Sequence, residues 1–414
     1  MVIKQVNKII IIVIVLIIGF FVVSVIGYFL VHKNSLPEIT KEVTLENQVK
    51  EYQTAGHYQS MLEKCPDKSF SCFEKNTEEI TKTYGPQVSL GVLKLLEDKG
   101  FMEKTVDDHQ IAHQTGRDTA KFFGINGRAF LSCPTSFNYG CQHGFFEYAL
   151  VTTKPAKKAI ELICGSLGNE YSTKFKFYCY HGVGHGVMDA ESYDLKAALG
   201  VCDTLDSTGR DGCWQGVFME NVNAGMRDEA RSNIFSKTDP LAPCDQVQDK
   251  YRYECYINHA GWLMKFFKND KNRVDKVVNA CLSAGNYINP CLQSIGLMAT
   301  NPVWQPAFLE NIKDRDSTEV AKEICLKFPK KYREQCIVAG VNNILNFDEL
   351  DVSRAQKFCD IVEQDFKNSC YQHIGLSLKS QTINNNIILQ KCSIFKDNFK
   401  RECLLGAGLH FYEK

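Results

Sequence analysis

Residues 244–255 read CDQVQDKYRYEC and residues 325–336 read CLKFPKKYREQC. Each is a polar turn between two cysteines eleven positions apart, with an aromatic four positions before the second cysteine and an arginine three before it. Working outward, all 18 cysteines of the 414-residue chain fall into local pairs: Cys65/Cys72, Cys133/Cys141, Cys164/Cys179, Cys202/Cys213, Cys244/Cys255, Cys281/Cys291, Cys325/Cys336, Cys359/Cys370 and Cys392/Cys403. From Cys141 onward the second cysteine recurs at steps of 33 (370 to 403) to 45 residues (291 to 336), the period of stacked two-helix units. An aromatic precedes it by four in seven of those eight units (Phe137, Phe175, Tyr251, Tyr287, Tyr332, Phe366 and Phe399), Gly209 being the exception. The position after it is basic in six: Lys176, Arg210, Arg252, Arg333, Lys367 and Lys400. A signature held in register over that many units predicts a helical repeat.

Each unit is expected to run as a helix ending near its first cysteine, a turn, and a second helix beginning at its second cysteine. Zinc and iron–sulfur frameworks need thiolates as close as CxxC, and the chain has no CxxC. The pairs therefore read as disulfides that staple each hairpin. Closing a loop of about 12 residues stabilises by very roughly 3 kcal/mol in the chain-entropy picture, which offsets the thin core of a two-helix unit. Disulfides persist in oxidising compartments, so the repeats are expected to face an extracytoplasmic space.

The amino-terminal segment agrees with that placement. From Ile9 to Val31 run 23 residues without a charge, which as a helix would span about 34 Å and cross a bilayer. A cleaved signal peptide would have a shorter apolar core and a small-residue site, whereas this stretch ends GYFLVHKNSL. The expected organisation is a cytoplasmic tail (1–8), a single transmembrane anchor (9–31), a polar stalk (32–60) and an extracytoplasmic helical-repeat domain (61–414). Hydrophobic residues at 44% and 11 prolines exclude a disordered or collagen-like chain. Lys+Arg and Asp+Glu each total 48, so no basic field marks a nucleic-acid partner.

The stapled units, over roughly residues 133 to 414, resemble the cysteine-rich members of the Sel1-like and tetratricopeptide class of α-solenoids. The resemblance implies a fold class, an all-α solenoid or superhelix of two-helix repeats, and no functional residue. Ahead of it, VSLGVLKLLEDKGF and IAHQTGRDTAKFFG predict two longer helices, while glycines following the second cysteines, as in Cys141-Gln-His-Gly and Cys213-Trp-Gln-Gly, predict close helix packing.

The repeat also supplies its own comparison. Positions two and six after the second cysteine share a helix face, and they read His143/Glu147, His181/His185, Gln215/Met219, Ile257/Gly261, Gln293/Leu297, Val338/Asn342, Gln372/Leu376 and Leu405/Leu409. Ligand types gather in the first units, so the fold does not require histidine there. Upstream, His109 and His113 lie four apart on a predicted helix, with Asp107, Asp108 and Asp118 as prospective partners. Helical pairs four apart let two side chains reach one ion, and imidazole with carboxylate suits zinc, iron, manganese or copper. The expected metal ligands are His109, His113, His143, Glu147, His181 and His185. Glu147 is expected as ligand or general base and Glu220 near the rim, with Gln215 and Asn223 completing a polar wall. His259 and His373 fall off this register and are expected to be structural, and His32, His57 and His410 receive no role.

No phosphate-loop, GxSxG or HExxH motif competes, and covalent c-type haem is excluded by the lack of CxxCH, leaving a noncovalent bis-histidine haem open. The expectation is a membrane-anchored metal-dependent hydrolase or oxidoreductase. The alternative is a noncatalytic solenoid binding a peptide or protein on its concave face.

Overall fold

The computed structural model describes residue 50 and residues 53–102, 108–137, 139–168, 171–226, 235–236, 238–302, 304–312, 315–347 and 350–409. The expected anchor, most of the stalk, His32, Asp107 and His410 lie outside them. Among the described residues no helix is long and apolar enough to cross a membrane, and every regular element is helical.

A helix over residues 53–64 (α1) is followed by α2 (Phe70–Tyr84), α3 (Pro86–Asp98) and α4 (Asp108–Phe123). Then come α5 (Gly127–Leu131), α6 (Gly140–Thr152), α7 (Ala156–Ile163), α8 (Thr173–Ala190), α9 (Leu195–Cys202) and α10 (Ser207–Met226). The later units contribute α11 (Asp249–Tyr256), α12 (Ala260–Phe266), α13 (Arg273–Leu282), α14 (Ile288–Ala299), α15 (Gln305–Phe308) and α16 (Ser317–Leu326). The last are α17 (Arg333–Phe347), α18 (Ser353–Ile361), α19 (Gln364–Gln381), α20 (Asn385–Cys392) and α21 (Asp397–Gly406). Residues 53–64, expected to span the junction of stalk and domain, dock on the fold: Met61 is buried and Tyr58 packs beside it.

All nine expected disulfides are formed, and no described cysteine is left over. The second helices begin earlier than the pattern implied. Helix α8 starts six residues before Cys179 and α19 six before Cys370, so the aromatic–basic signature lies in the first turn of the helix rather than ahead of it. From there the basic side chain reaches back to the carbonyls left open just after the first cysteine. Arg252 donates to the carbonyls of Val247 and Asp245 at 3.1 and 2.9 Å, Arg333 to those of Phe328 and Leu326, and Lys367 to that of Asp360.

The second helices pack side by side, α4 on α6, α6 on α8, α8 on α10, and later α14 on α17, α17 on α19 and α19 on α21. Two glycines set the seam at the front. A Cβ on Gly116 would fall 1.9 Å from the Cys141 carbonyl oxygen, and one on Gly144 would fall 1.8 Å from that of His113. The same two contacts recur between α8 and α10, at Gly184 and Gly216. Helix α4 thus belongs to the repeat register although it carries no cysteine: Ile111 stands at the cysteine position, His113 two and Arg117 six residues beyond it.

The stack also curls back on itself. Helix α19 packs against α8, and Asn346 Nδ2 on α17 donates to the Tyr178 hydroxyl on α8 at 2.8 Å. Contact is therefore not confined to neighbouring units.

Candidate metal centre

Helices α4, α6 and α8, held at glycine-limited separation, bring their "plus two" residues His113, His143 and His181 to one line. His109, one turn before His113, and His185, one turn after His181, flank them. His113, His143, His181 and His185 are at most 6% exposed. Ring centroids of neighbouring imidazoles lie 4.4 to 6.0 Å apart. Two groups of three emerge, His109–His113–His143 and His143–His181–His185, each with ligand nitrogens within 4.8 Å of one another. Three nitrogens on one tetrahedral ion at the usual zinc–nitrogen bond length sit about 3.3 Å apart, so the rings would draw together from separations of up to 4.8 Å to hold one. The chain's histidine clusters could therefore hold a metal ion. A third group, Cys244, Cys255 and His259, cannot, because its two sulfurs are joined to each other.

The hydrogen bonds assign tautomers. His109 Nδ1 faces the Phe137 carbonyl at 2.8 Å and His113 Nδ1 faces Glu147 Oε1 at 2.6 Å. Both partners are acceptors, so both Nδ1 atoms carry a proton, and in the neutral form of both rings the Nε2 atoms present bare lone pairs to each other. Those two Nε2 atoms approach to 3.0 Å. A cation between them, a metal ion or a shared proton, makes that approach favourable, and burial, with the neighbouring His113, pushes the His109 pKa down to about 3, which opposes a proton on His109 itself. In the second pair His185 Nδ1 donates to Glu220 Oε2 at 3.0 Å, and its Nε2 lies 3.1 Å from His181 Nε2.

Glu147 has both oxygens engaged, since Arg117 donates to Oε2 at 2.5 Å. Burial would raise its carboxyl, but His113 and Arg117 outweigh that and hold it down at about 2. Glu220 is not at a rim: it is 8% exposed, and Tyr193 donates to its Oε1 at 2.9 Å. Asp118 points away from the histidines, accepts from Gln114, and is pushed up to about 6 by burial and by Glu78. Burial and the neighbouring imidazoles hold His143 and His181 well below the ordinary histidine range. Gln215 opposes this at His181 without completing a hydrogen bond to Nδ1. Asn223 is half-buried.

Arg117, Tyr193 and the Phe137 carbonyl were not read from the sequence. Arg117 alone had a signal, lying four residues after His113 on the same face. His259 and His373 behave as structural residues, donating to the carbonyls of Pro240 and Ser369.

No family model, no curated protein and no solved structure matches the chain. What the described residues show is an all-helical, disulfide-stapled repeat, and the resemblance to Sel1-like and tetratricopeptide solenoids rests on the sequence pattern alone.

Proposed function

We propose that the protein is a metal-dependent enzyme, a hydrolase or oxidoreductase, anchored by residues 9–31 with its repeat domain in an oxidising extracytoplasmic space. The observation that carries the metal assignment is the pair of Nε2 atoms of His109 and His113, 3.0 Å apart within a three-histidine group while both Nδ1 atoms face acceptors elsewhere. The donor set narrows the ion. Neutral imidazoles whose far nitrogens are held by a carboxylate or carbonyl suit zinc and copper, whereas manganese favours oxygen ligands. Three protein nitrogens leave a coordination position open, the hallmark of a catalytic rather than a structural site. A bound ion there would supply Lewis acidity toward water or substrate. The chain's own groups do the positioning. Glu147 holds the His113 proton at Nδ1 and is itself fixed by Arg117, and Glu220 does the same for His185 with Tyr193 behind it. The disulfides and the uncharged amino-terminal stretch support the location.

Elemental analysis of the purified full-length protein, after reconstitution with zinc or copper, tests this. Stoichiometric metal in wild type that falls at least tenfold in affinity in His113→Ala for the first group, and in His181→Ala or His185→Ala for the second, with helicity retained, is the expected result. No stoichiometric metal in wild type would favour a partner-binding scaffold instead.

A further inference from the structure

His143 sits on α6, the helix packed between α4 and α8. Its ring centroid is 5.4 Å from that of His113 and 4.4 Å from that of His185, against which it stacks at 20°, so sharing an ion with His185 requires one of the two rings to turn, and it belongs to both three-histidine groups. Neither of its ring nitrogens has a hydrogen-bond partner, and the residue is 4% exposed. A neutral imidazole has one N–H and one lone pair, and leaving such a group unmet in a core costs about 1 to 3 kcal/mol. The histidines outside the centre each have one nitrogen met, His259 and His373 donating to a backbone carbonyl with His259 Nδ1 left unmet, whereas among the described residues His143 is the buried histidine with both nitrogens unmet. One ion in either group would satisfy one nitrogen of His143 and leave the other orphaned. Ions in both groups, each taking a different nitrogen of His143, would satisfy both.

We propose that His143 bridges two metal ions, one shared with His109 and His113 and the other with His181 and His185, so that the centre is dinuclear. The inference rests on the metal assignment above. A neutral ring offers a lone pair at one nitrogen only. The second metal–nitrogen bond therefore forms as the remaining ring proton leaves to solvent, and the resulting imidazolate donates one pair to each ion. Charge is compensated in part. Glu147 stands behind the first group with Arg117 on its other oxygen, and Glu220 behind the second, so two carboxylates and one imidazolate, less the Arg117 charge, offset two of the four charges of two divalent ions. The topology fits, because α6 is the one helix that touches both α4 and α8 within the centre.

The test uses full-length protein and copper(II), which imidazole sites bind strongly. Two copper ions per chain whose paramagnetic resonance intensity falls well below two spins, through exchange coupling, are expected. In His143→Leu both affinities fall at least tenfold, and any copper retained gives full, uncoupled intensity. A single copper per chain, or two uncoupled ones in wild type, overturns the bridge while leaving a metal site. No copper in wild type overturns the metal assignment itself. These wild-type outcomes decide the matter even if the leucine variant fails to fold. Its metal-free denaturation midpoint adds a further check: removing two orphaned nitrogens should not lower it, whereas a drop would mark His143 as a satisfied core residue.

Discussion

Glu147 Oε1 lies 2.6 Å from His113 Nδ1 across the seam between α4 and α6, and Arg117 occupies the carboxylate's other oxygen. The carboxylate thereby fixes the imidazole's tautomer and orientation from the side away from the other histidines. Glu147→Gln keeps the shape and removes the charge. Such changes behind a ligand typically cost 10- to 100-fold in metal affinity, and that is the loss expected in a competition titration against a chelator, with the helical dichroism unchanged. Wild-type affinity in this variant would reduce Glu147 to a packing role.

The seam glycines give a steric prediction. A Cβ on Gly144 would sit 1.8 Å from the His113 carbonyl oxygen, a separation that requires the backbones of α4 and α6 to move apart. Gly144→Ala should therefore lower the melting temperature and weaken metal binding together. Gly200, inside α9, has nothing within 4 Å of its virtual Cβ. There Gly→Ala should stabilise by about 0.5 to 1 kcal/mol, the ordinary helix-interior gain. Equal effects at the two sites would refute the close-approach account.

The repeat, the disulfide pairing and the histidine face were legible because each follows from a periodicity: fixed cysteine spacing, and side chains four apart on one helix. Two things were not. The register of α4 was hidden because Ile111 replaces the cysteine that marks every other unit, and only the glycine contacts of Gly116 and Gly144 reveal it. Glu220 was misplaced toward the rim, and the partners of Glu147 were not foreseen, because composition records that a carboxylate is near, not which ring nitrogen it meets. Arg117 and Tyr193 set that, through contacts to residues 30 and 27 positions away.

Histidines off the register provide a control. His259 is fully buried, and its Nε2–H donates to the Pro240 carbonyl at 2.7 Å. His259→Ala should lower stability by on the order of 1 to 3 kcal/mol, the cost of orphaning that carbonyl and leaving a gap, while metal content stays at the wild-type level. His373, half-buried and bonded only within its own helix, should tolerate alanine with little change in either measurement. Metal loss in either variant would contradict the assignment of the five front histidines.

The metal-free protein should be acid-labile. The folded-state pKa of His109 is pushed down to about 3 by burial and by His113, and those of His143 and His181 are lowered in the same direction. Between pH 6.5 and those values the unfolded chain binds more protons than the folded one, so stability is fully present above 6.5 and declines as pH falls. Glu147, at about 2 against an ordinary 4.5, adds the same sign below 4.5. Glu254, pushed up to about 8 by burial and Asp211, acts oppositely between 4.5 and 8, as do Asp118, pushed up to about 6, between 3.8 and 6, and Asp245, raised by burial and Asp239, against the three histidines and Glu147. His109 alone contributes on the order of 3 kcal/mol of loss by pH 4. Denaturant midpoints measured with a chelator present at pH 7.5, 5.5 and 4 should fall in that order. Midpoints that hold constant would mean that the histidines are not buried in their neutral form.

The curl of the stack bears on the later units. They keep the disulfide and lose the ligand types, which assigns them a supporting role, and in an open solenoid their removal would leave the front untouched. Here α17 and α19 reach α8, the helix carrying His181 and His185, and Tyr178, which takes the hydrogen bond from Asn346, packs 5.6 Å from the His181 ring. Deleting residues 320–414 should therefore weaken the second histidine group more than the first and lower the melting temperature, rather than leave metal affinity unchanged. Asn346→Ala isolates the contact. It should cost about 1 kcal/mol, the net worth of one hydrogen bond, and leave metal stoichiometry intact. A truncated protein with wild-type metal affinity at both groups would show that the contact between α8 and the last units carries no support to the centre.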